Sequence, residues 1–164
     1  MEENRVDKAE RLFREGYNCA QAVVAAFCDL YGMDEELALR ISASFGAGLG
    51  RMREVWGAVS GMGIIAGLEN GATKGIDVAG KKANYDLIAS MASEFKKNNG
   101  TIICRELLGL DKQVSEGEKG KVQKVDTTPG ERNEEYYKTR PCVDKVRECA
   151  QIIEDYIICN RECR

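Results

Sequence analysis

The stretch REVWGAVSGMGIIAGLENG, from Arg53 to Gly71, predicts a helix over Glu54–Leu68 with the chain's only tryptophan, Trp56, at its start. Four glycines recur within it in two pairs, each pair spaced four residues apart: Gly57, Gly61, Gly63 and Gly67. Each glycine costs a helix about 1 kcal/mol relative to alanine. A helix that tolerates this cost usually gains a close approach of its backbone to a neighbour. We therefore expect Glu54–Leu68 to lie buried at the centre of the fold.

Helical spacing of apolar residues predicts further helices on both sides of this segment. They are expected over Val6–Tyr31, after the cap residue Asp34, over Lys81–Phe95, after the cap residue Thr101, and from about Pro141 to Asn160. Residues 111–126 are charged and indicate a surface loop, whereas TPGE at Thr128–Glu131 has the form of a capping box. Strand alternation is nearly absent. The sequence thus predicts a single all-α domain over residues 1–164, a compact bundle of about six helices around the glycine-rich one.

Composition excludes several classes of function. A net charge of −3 is not that of a nucleic-acid-binding protein, which would show a basic face. The start of the chain is charged and amphipathic rather than a secretion signal, and the longest uncharged run, Val55–Leu68, is too short to span a bilayer. We therefore expect a cytoplasmic protein without membrane insertion. GAGLG at Gly46–Gly50 lacks the preceding strand that a nucleotide-binding loop requires.

The cysteines are the residues that most clearly indicate a chemical function. The chain has seven cysteines and no histidine, which excludes a Cys–His pair and the commonest zinc nitrogen ligand. In a reducing cytosol, thiols stay reduced unless they are catalytic, redox-sensing or metal-bound. The density of cysteines therefore makes thiol chemistry the first hypothesis.

Cys104 and Cys142 are the two strongest candidates for reactive thiols. Each is predicted in the first turn of a helix, where free N–H groups and the helix dipole favour a thiolate. The neighbouring Arg105 and Arg140 add positive charge, and such surroundings lower the pKa of a cysteine. The alternative is that both are small apolar residues filling the core. Cys19 is predicted in the middle of the first helix, on its apolar face, where a packing role suffices.

The remaining cysteines carry weaker signals. Cys28 and Cys149 lie on predicted helix faces and fit the core. Cys159 and Cys163 form a C-x3-C pair that could share a soft metal on one side of a helix. No C-x2-C pair occurs, so neither a zinc ribbon nor a thioredoxin-type dithiol is indicated.

Five short motifs together resemble the landmarks of the C_GCAxxG_C_C family, whose members are described as redox-active. They are, in order along the chain, GYNCAQAVVAAF, FGAGLGRM, WGAVSGMGIIAGLENG, CRELLG and RPCVDKV. The resemblance spans roughly Gly16–Val146. It places Cys19, Cys104 and Cys142 at three of the four cysteines that characterise the family, and Gly57, Ala58 and Gly61 within its glycine motif.

The fourth family cysteine is absent, and Trp56 stands in its place. Four thiolates hold a metal or an iron–sulfur cluster, or form two disulfide couples. Three thiols and an indole cannot complete a four-sulfur site, because the indole N–H is only a hydrogen-bond donor. Either Cys149 or Cys28 substitutes, or this chain has lost part of the activity. Trp56 is then a residue that covers the remaining thiols, stacks on a flat ligand or fills a cavity.

Three functional hypotheses follow. The first, which the resemblance implies, is a redox-active thiol protein of oxidoreductase type. In it Cys104, Cys142 and Cys19 exchange disulfides or bind a redox centre, which would be a thiolate-held metal or an iron–sulfur cluster. The second is a non-catalytic module that binds a metal through these cysteines, or a small ligand in a cavity formed by Trp56, Gly57 and Gly61. The third is a structural protein whose thiols pack in the hydrophobic core. The sequence names neither an electron or thiol partner nor an oligomeric state.

Overall fold

The computed structural model describes residues 3–110 and 125–162, and these ranges are all-α, as the sequence predicts. Within them no strand forms, and one antiparallel bridge joins Val55 to Ile103. The α-helices are α1 (Arg5–Arg14), α2 (Cys19–Phe27), α3 (Glu35–Ser42), α4 (Gly57–Asn70), α5 (Val78–Asn99), α6 (Cys104–Leu107), α7 (Glu134–Thr139), α8 (Cys142–Ile153) and α9 (Cys159–Glu162). Short 3-10 helices follow α2 and α3 at Cys28–Tyr31 and Ala43–Phe45, and a π-helical turn at Glu154–Ile158 joins α8 to α9.

Helix α4 is the central element, which confirms the prediction made from its glycines. It packs against α2, α5 and α8, and its buried residues belong to the main hydrophobic core. Two of its glycines are required by close packing. A Cβ on Gly57 would lie 2.9 Å from the carbonyl oxygen of Phe45, and one on Gly61 would lie 3.1 Å from the Val23 Cβ on α2. The first half of α4 therefore lies nearly in backbone contact with α2.

The predicted helix over Val6–Tyr31 is wrong in its extent, because the chain breaks between α1 and α2. Gly16 takes a φ of +109°, which ends α1, and Asn18 then caps α2. The Asn18 side chain accepts a hydrogen bond from the backbone N–H of Gln21, whose side chain accepts one in return from the Asn18 N–H. This capping box starts a new helix at Cys19. Cys19 is thus the first residue of a helix and not a mid-helix residue.

Other predicted helix starts are shifted by a few residues, and the central helix α4 begins at Gly57 rather than at Glu54. Ile103, rather than Thr101, precedes α6, so Cys104 is the first residue of that helix. Thr128–Glu131 does not begin a helix; α7 begins at Glu134, where the Asn133 side chain accepts a hydrogen bond from Tyr136 N–H. Pro141 immediately precedes α8, so Cys142 is also a first residue. Most of the loop predicted over residues 111–126 lies outside the described residues.

Candidate functional site

Three helices begin at one cavity, and each of them begins with a cysteine. The cavity has a volume of about 360 Å³ and is lined by Cys19, Cys104 and Cys142, the first residues of α2, α6 and α8. The positive ends of the dipoles of α2 and α8 therefore meet where the thiols are, whereas α6 is a single turn whose first N–H groups bind the Glu54 and Arg53 carbonyls. All three side chains are buried from bulk solvent, with exposed fractions of 9%, 2% and 5%.

The thiols of Cys19 and Cys142 share the cavity and are close enough for each to shift the pKa of the other. The Cys19 thiol lowers the pKa of Cys142, and Cys142, with burial, raises the pKa of Cys19. Cys142 is the thiol of the two that ionises, because it receives a hydrogen bond from the Tyr136 hydroxyl, with O···S 3.7 Å. Arg140 and Arg132 favour the same thiolate electrostatically, and together these groups lower its pKa to about 6.

Arg132 and Tyr136 are held rigidly beside this pair. The Arg132 guanidinium donates to the carbonyl oxygens of Phe13 and Tyr17, at 2.6 and 2.9 Å, and lies 4.3 Å from the centre of the Phe13 ring. Arg140 lies 5.2 Å from the centre of the Tyr136 ring. Burial and the nearby Cys142 raise the pKa of Tyr136, so its hydroxyl stays protonated and remains a donor to the sulfur. The site thus has a pre-organised set of groups that stabilise a thiolate.

Cys104 lies in the same cavity but in different electrostatic surroundings. Its burial raises its pKa, and Arg53, whose guanidinium lies 4.0 Å from the sulfur, opposes that shift only in part. The backbone fixes its place, because Cys104 N–H donates to the Glu54 carbonyl at 2.6 Å and Trp56 N–H donates to the Ile102 carbonyl at 2.8 Å. In this short antiparallel pairing Trp56 lies opposite Ile102 and Cys104 opposite Glu54, and both Trp56 and Cys104 line the cavity.

Trp56 lies in the wall of the cavity and is almost completely buried, with an exposed fraction of 2%. It immediately precedes α4 and packs with the main core. Among the described residues no acceptor receives its indole N–H, and no other buried side-chain nitrogen or oxygen there lacks a hydrogen-bond partner. Tryptophans in protein interiors usually place this N–H on an acceptor.

The segment between α3 and α4 forms another wall and has an unusual backbone. Residues 47–51 all have φ between +53° and +71°, and Arg53 has φ +61°. A left-handed backbone conformation costs a residue with a side chain about 1–2 kcal/mol. Four residues in this segment bear that cost: Ala47, Leu49, Arg51 and Arg53. Backbone bonds such as Glu54 N–H to the Gly48 carbonyl, at 3.0 Å, hold the turn. Such strain is concentrated at functional sites, and here it holds Arg51 and Arg53 at the cavity.

The other residues singled out in the sequence lie elsewhere. Gly57 lines the cavity, whereas Gly61 faces Val23 of α2. Cys28 and Cys149 are buried in the core and do not line the cavity, so neither supplies a fourth sulfur. Cys159 is exposed, and Cys163 lies outside the described residues. Over residues 3–110 and 125–162, no three Cys, Asp or Glu side chains are placed to hold a metal ion. The metal-ligand role of Cys19, Cys104 and Cys142 therefore gains no support from their arrangement.

Sequence reasoning missed most of the groups that surround the cavity thiols. Tyr136 and Arg132 come from the segment before α8, and Arg53 comes from the strained turn. Only Arg140 was identified, because it is adjacent to Cys142 in the sequence. The RPC sequence and the tyrosine one helical turn earlier are the local signal that could have indicated Tyr136. Nothing local indicates Arg53 or Arg132.

These features define a helical protein whose buried thiols line a basic cavity. A family model described as "Putative redox-active protein (C_GCAxxG_C_C)" matches residues 17–156, and the chain belongs to that family. No curated protein and no solved structure matches the chain. None of the helices in the described ranges has the length and apolar character needed to cross a membrane.

Proposed function

We propose that the protein carries out thiol–disulfide exchange, with Cys142 as the nucleophile and Cys19 as the resolving thiol. The observation that carries this proposal is that Cys19 and Cys142 begin α2 and α8 at one cavity, where the sulfur of Cys142 accepts a hydrogen bond from the Tyr136 hydroxyl. A thiolate is the attacking form in disulfide exchange, and an attacking thiol works best when its pKa lies near the ambient pH.

The reaction uses two cysteines and one external disulfide. The Cys142 thiolate attacks one sulfur of the substrate, the substrate S–S bond breaks, and the first substrate thiolate leaves with a proton taken from solvent. Cys19 then loses its proton, and its sulfur attacks Cys142 in the mixed disulfide. The second substrate thiolate leaves and takes up that proton. The products are two substrate thiols and a Cys19–Cys142 disulfide, so the substrate gains the two electrons that the cysteines lose.

Cys104 is the third thiol of the same site. The sequence favoured Cys104 and Cys142 as the reactive pair, whereas proximity favours Cys19 as the partner of Cys142. The raised pKa of Cys104, caused mainly by burial, makes it a poor nucleophile at neutral pH. We therefore propose that Cys104 acts after Cys142, as an alternative resolving thiol.

Disulfide mapping tests this assignment. The protein, reduced and then freed of reductant without oxygen, is treated with bis(2-hydroxyethyl) disulfide, and its disulfides are located by peptide mass spectrometry. We expect a Cys19–Cys142 disulfide in the wild type and a stable mixed disulfide on Cys142 in Cys19→Ser. Cys142→Ser should form neither, while the core variant Cys149→Ser should behave as the wild type. Reaction at Cys104 ahead of Cys142, or no reaction in the cavity, would contradict the proposal.

A further inference from the structure

The charged groups around the cavity are strongly unbalanced. Four arginines line it and one carboxylate does: Arg51, Arg53, Arg132 and Arg140 against Glu131. Within the described parts of the chain, Arg53, Arg132 and Arg140 form no ion pair with an acidic side chain, and Arg51 approaches Asp126 only to 4.0 Å. The protein as a whole carries a net charge of −3, so this concentration of positive charge is local.

Trp56 forms part of the wall of this cavity, but its indole N–H is buried behind that wall and is not reached by solvent. The indole N–H therefore does not select the ligand. The excess of arginines over carboxylates is the feature that calls for an anionic ligand.

The burial of the thiols limits the size of what reaches them. Cys142 and Cys19 are 5% and 9% exposed, and the cavity that leads to them measures about 360 Å³. Pockets of about 300–1,000 Å³ are typical of small-molecule sites. A disulfide fixed on the surface of a folded protein would have to enter this space together with the backbone that carries it.

We propose that the cavity binds a small disulfide bearing carboxylate groups, as the substrate of the Cys142 thiolate. This inference rests on the proposed function and adds the substrate class. The carboxylates pair with the cavity arginines, and this binding brings one sulfur of the substrate to Cys142. The exchange itself is the balanced reaction given above, with the carboxylated thiol as the leaving group in both steps.

The proposal is tested with three disulfide reagents of similar size, which differ in charge, so that the effect of charge can be separated from that of intrinsic reactivity. They are 3,3′-dithiodipropionate, which carries two carboxylates, neutral bis(2-hydroxyethyl) disulfide, and cationic cystamine. Each rate of Cys142 oxidation is divided by the rate of the same disulfide with free 2-mercaptoethanol in the same buffer, which removes intrinsic differences between leaving groups. We expect dithiodipropionate to exceed the neutral reagent by roughly tenfold or more at low ionic strength, and cystamine to be the slowest.

Removing cavity charge should remove this preference. Arg51 and Arg53 are the lining arginines outside the set of groups that stabilise the Cys142 thiolate. In the double variant Arg51→Gln/Arg53→Gln, the normalised rates with the dicarboxylate and the neutral disulfide should become nearly equal. The control Arg40→Gln, at an exposed residue of α3 paired with Glu36, should keep the preference. Helical circular dichroism checks that each variant is folded.

Binding without reaction provides an independent readout. Suberate has the same number of chain atoms between its carboxylates as dithiodipropionate but has no disulfide. Because Trp56 is the only tryptophan, its fluorescence should change as suberate is added, and octane-1,8-diol should have no such effect. Suberate should also slow oxidation by dithiodipropionate.

The outcomes separate the two proposals. Equal normalised rates for all three disulfides, with no response to suberate, would overturn the anionic substrate class and leave thiol exchange at Cys142 intact. A fluorescence response to suberate without oxidation of Cys142 by any disulfide would overturn both, and would make the protein a binding module for carboxylates.

Discussion

Cys142 and Cys149 lie on the same helix and are both buried, yet their thiols have opposite properties. Cys142 is 5% exposed and Cys149 is 0% exposed. The nearby Cys19 thiol, together with Tyr136 and two arginines, lowers the pKa of Cys142 to about 6. Burial raises the pKa of Cys149 well above its ordinary value, and the neighbouring Glu148 adds to that shift.

The comparison shows that burial alone does not make a thiol reactive or inert. Desolvation disfavours the thiolate at both residues, and what differs is the presence of donors and cations for the charged form. Cys142 begins α8 and faces a basic cavity, whereas Cys149 lies further along the helix within the apolar core. The cavity cysteines are thus distinguished from Cys149 by where helices start, which is a property of the fold.

The largest expected effect comes from adding a fourth cysteine to the cavity. In Trp56→Cys a sulfur would enter the wall of the cavity that the other three thiols line, at the residue where the family pattern has a cysteine. We expect a new disulfide with one of the cavity thiols or a gain in zinc or iron bound, measured by thiol counting and metal analysis after purification without oxygen. Stability should fall, with the loss of about 3–5 kcal/mol for an aromatic-to-alanine change as the upper limit.

The matched control is Trp56→Phe, which keeps an aromatic ring but adds no sulfur. It should show neither extra disulfide nor extra metal. If Trp56→Cys yields only one more free thiol, Trp56 does not occupy a former four-sulfur site, and its role is packing.

The second-largest effect is expected in the alkylation rates of the two α8 cysteines, Cys142 and Cys149. At pH 7 we expect iodoacetamide to alkylate Cys142 at least about 100-fold faster than Cys149, since a thiol with a pKa of about 6 is mostly thiolate and one with a pKa well above 9 is less than about 1% thiolate. The rate at Cys142 should rise with pH and level off above a midpoint near 6. Peptide mass spectrometry after brief labelling measures both rates, and equal labelling would remove the distinction.

Because the pKa values of Cys142 and Cys149 shift in opposite directions on folding, pH should change their contributions to stability in opposite directions. The pKa of Cys142 is lower in the folded protein, so its contribution to stability is present at high pH and is lost as the pH falls from about 9 through about 6. The pKa of Cys149 is higher in the folded protein, so its contribution is present below about 9 and is lost as the pH rises further. Urea unfolding of Cys142→Ser and Cys149→Ser at several pH values should show the two trends separately.

A smaller effect is expected from removing one donor to the Cys142 thiolate. In Tyr136→Phe the hydroxyl that lies 3.7 Å from the sulfur is lost while the ring stays. The pKa of Cys142 should rise by about one unit, which corresponds to about 1.4 kcal/mol. Thiolate absorbance near 240 nm, measured against pH, reports the shift. Tyr137→Phe is the control, because that hydroxyl donates to the Arg14 carbonyl instead; an equal shift in both variants would argue against a specific Tyr136 contact.

The smallest effect is expected at the cap of α2. Asn18→Ala should destabilise the protein by about 1 kcal/mol and also disturb the placement of Cys19, the next residue. Asn4→Ala removes the corresponding cap of α1 and should cost a similar amount of stability. Only Asn18→Ala should slow closure of the Cys19–Cys142 disulfide. If both variants close it at the wild-type rate, the cap does not position the thiol pair.

Local patterns were enough to predict the fold class and the central helix. Apolar spacing and the pair Gly57 and Gly61 are local patterns, and the helix they indicate has the predicted close contact with α2. The sequence also placed Cys104 and Cys142 near helix starts, although neither α6 nor α8 has a side-chain cap. The same reasoning failed at Cys19, where a helical apolar pattern continued across the break at Gly16 and concealed the start of α2.

Which thiols meet, and which of them ionises, depends on contacts between residues that are far apart in the sequence. Cys19 and Cys142 are neighbours because α2 and α8 begin at the same cavity, and no local pattern encodes that contact. The cations reach the site from separate segments, with Arg53 held by a strained turn and Arg132 by the carbonyl groups of Phe13 and Tyr17. The pKa of a thiol depends on charges and donors within a few ångströms. Those distances follow from packing, which residue spacing along the chain does not specify.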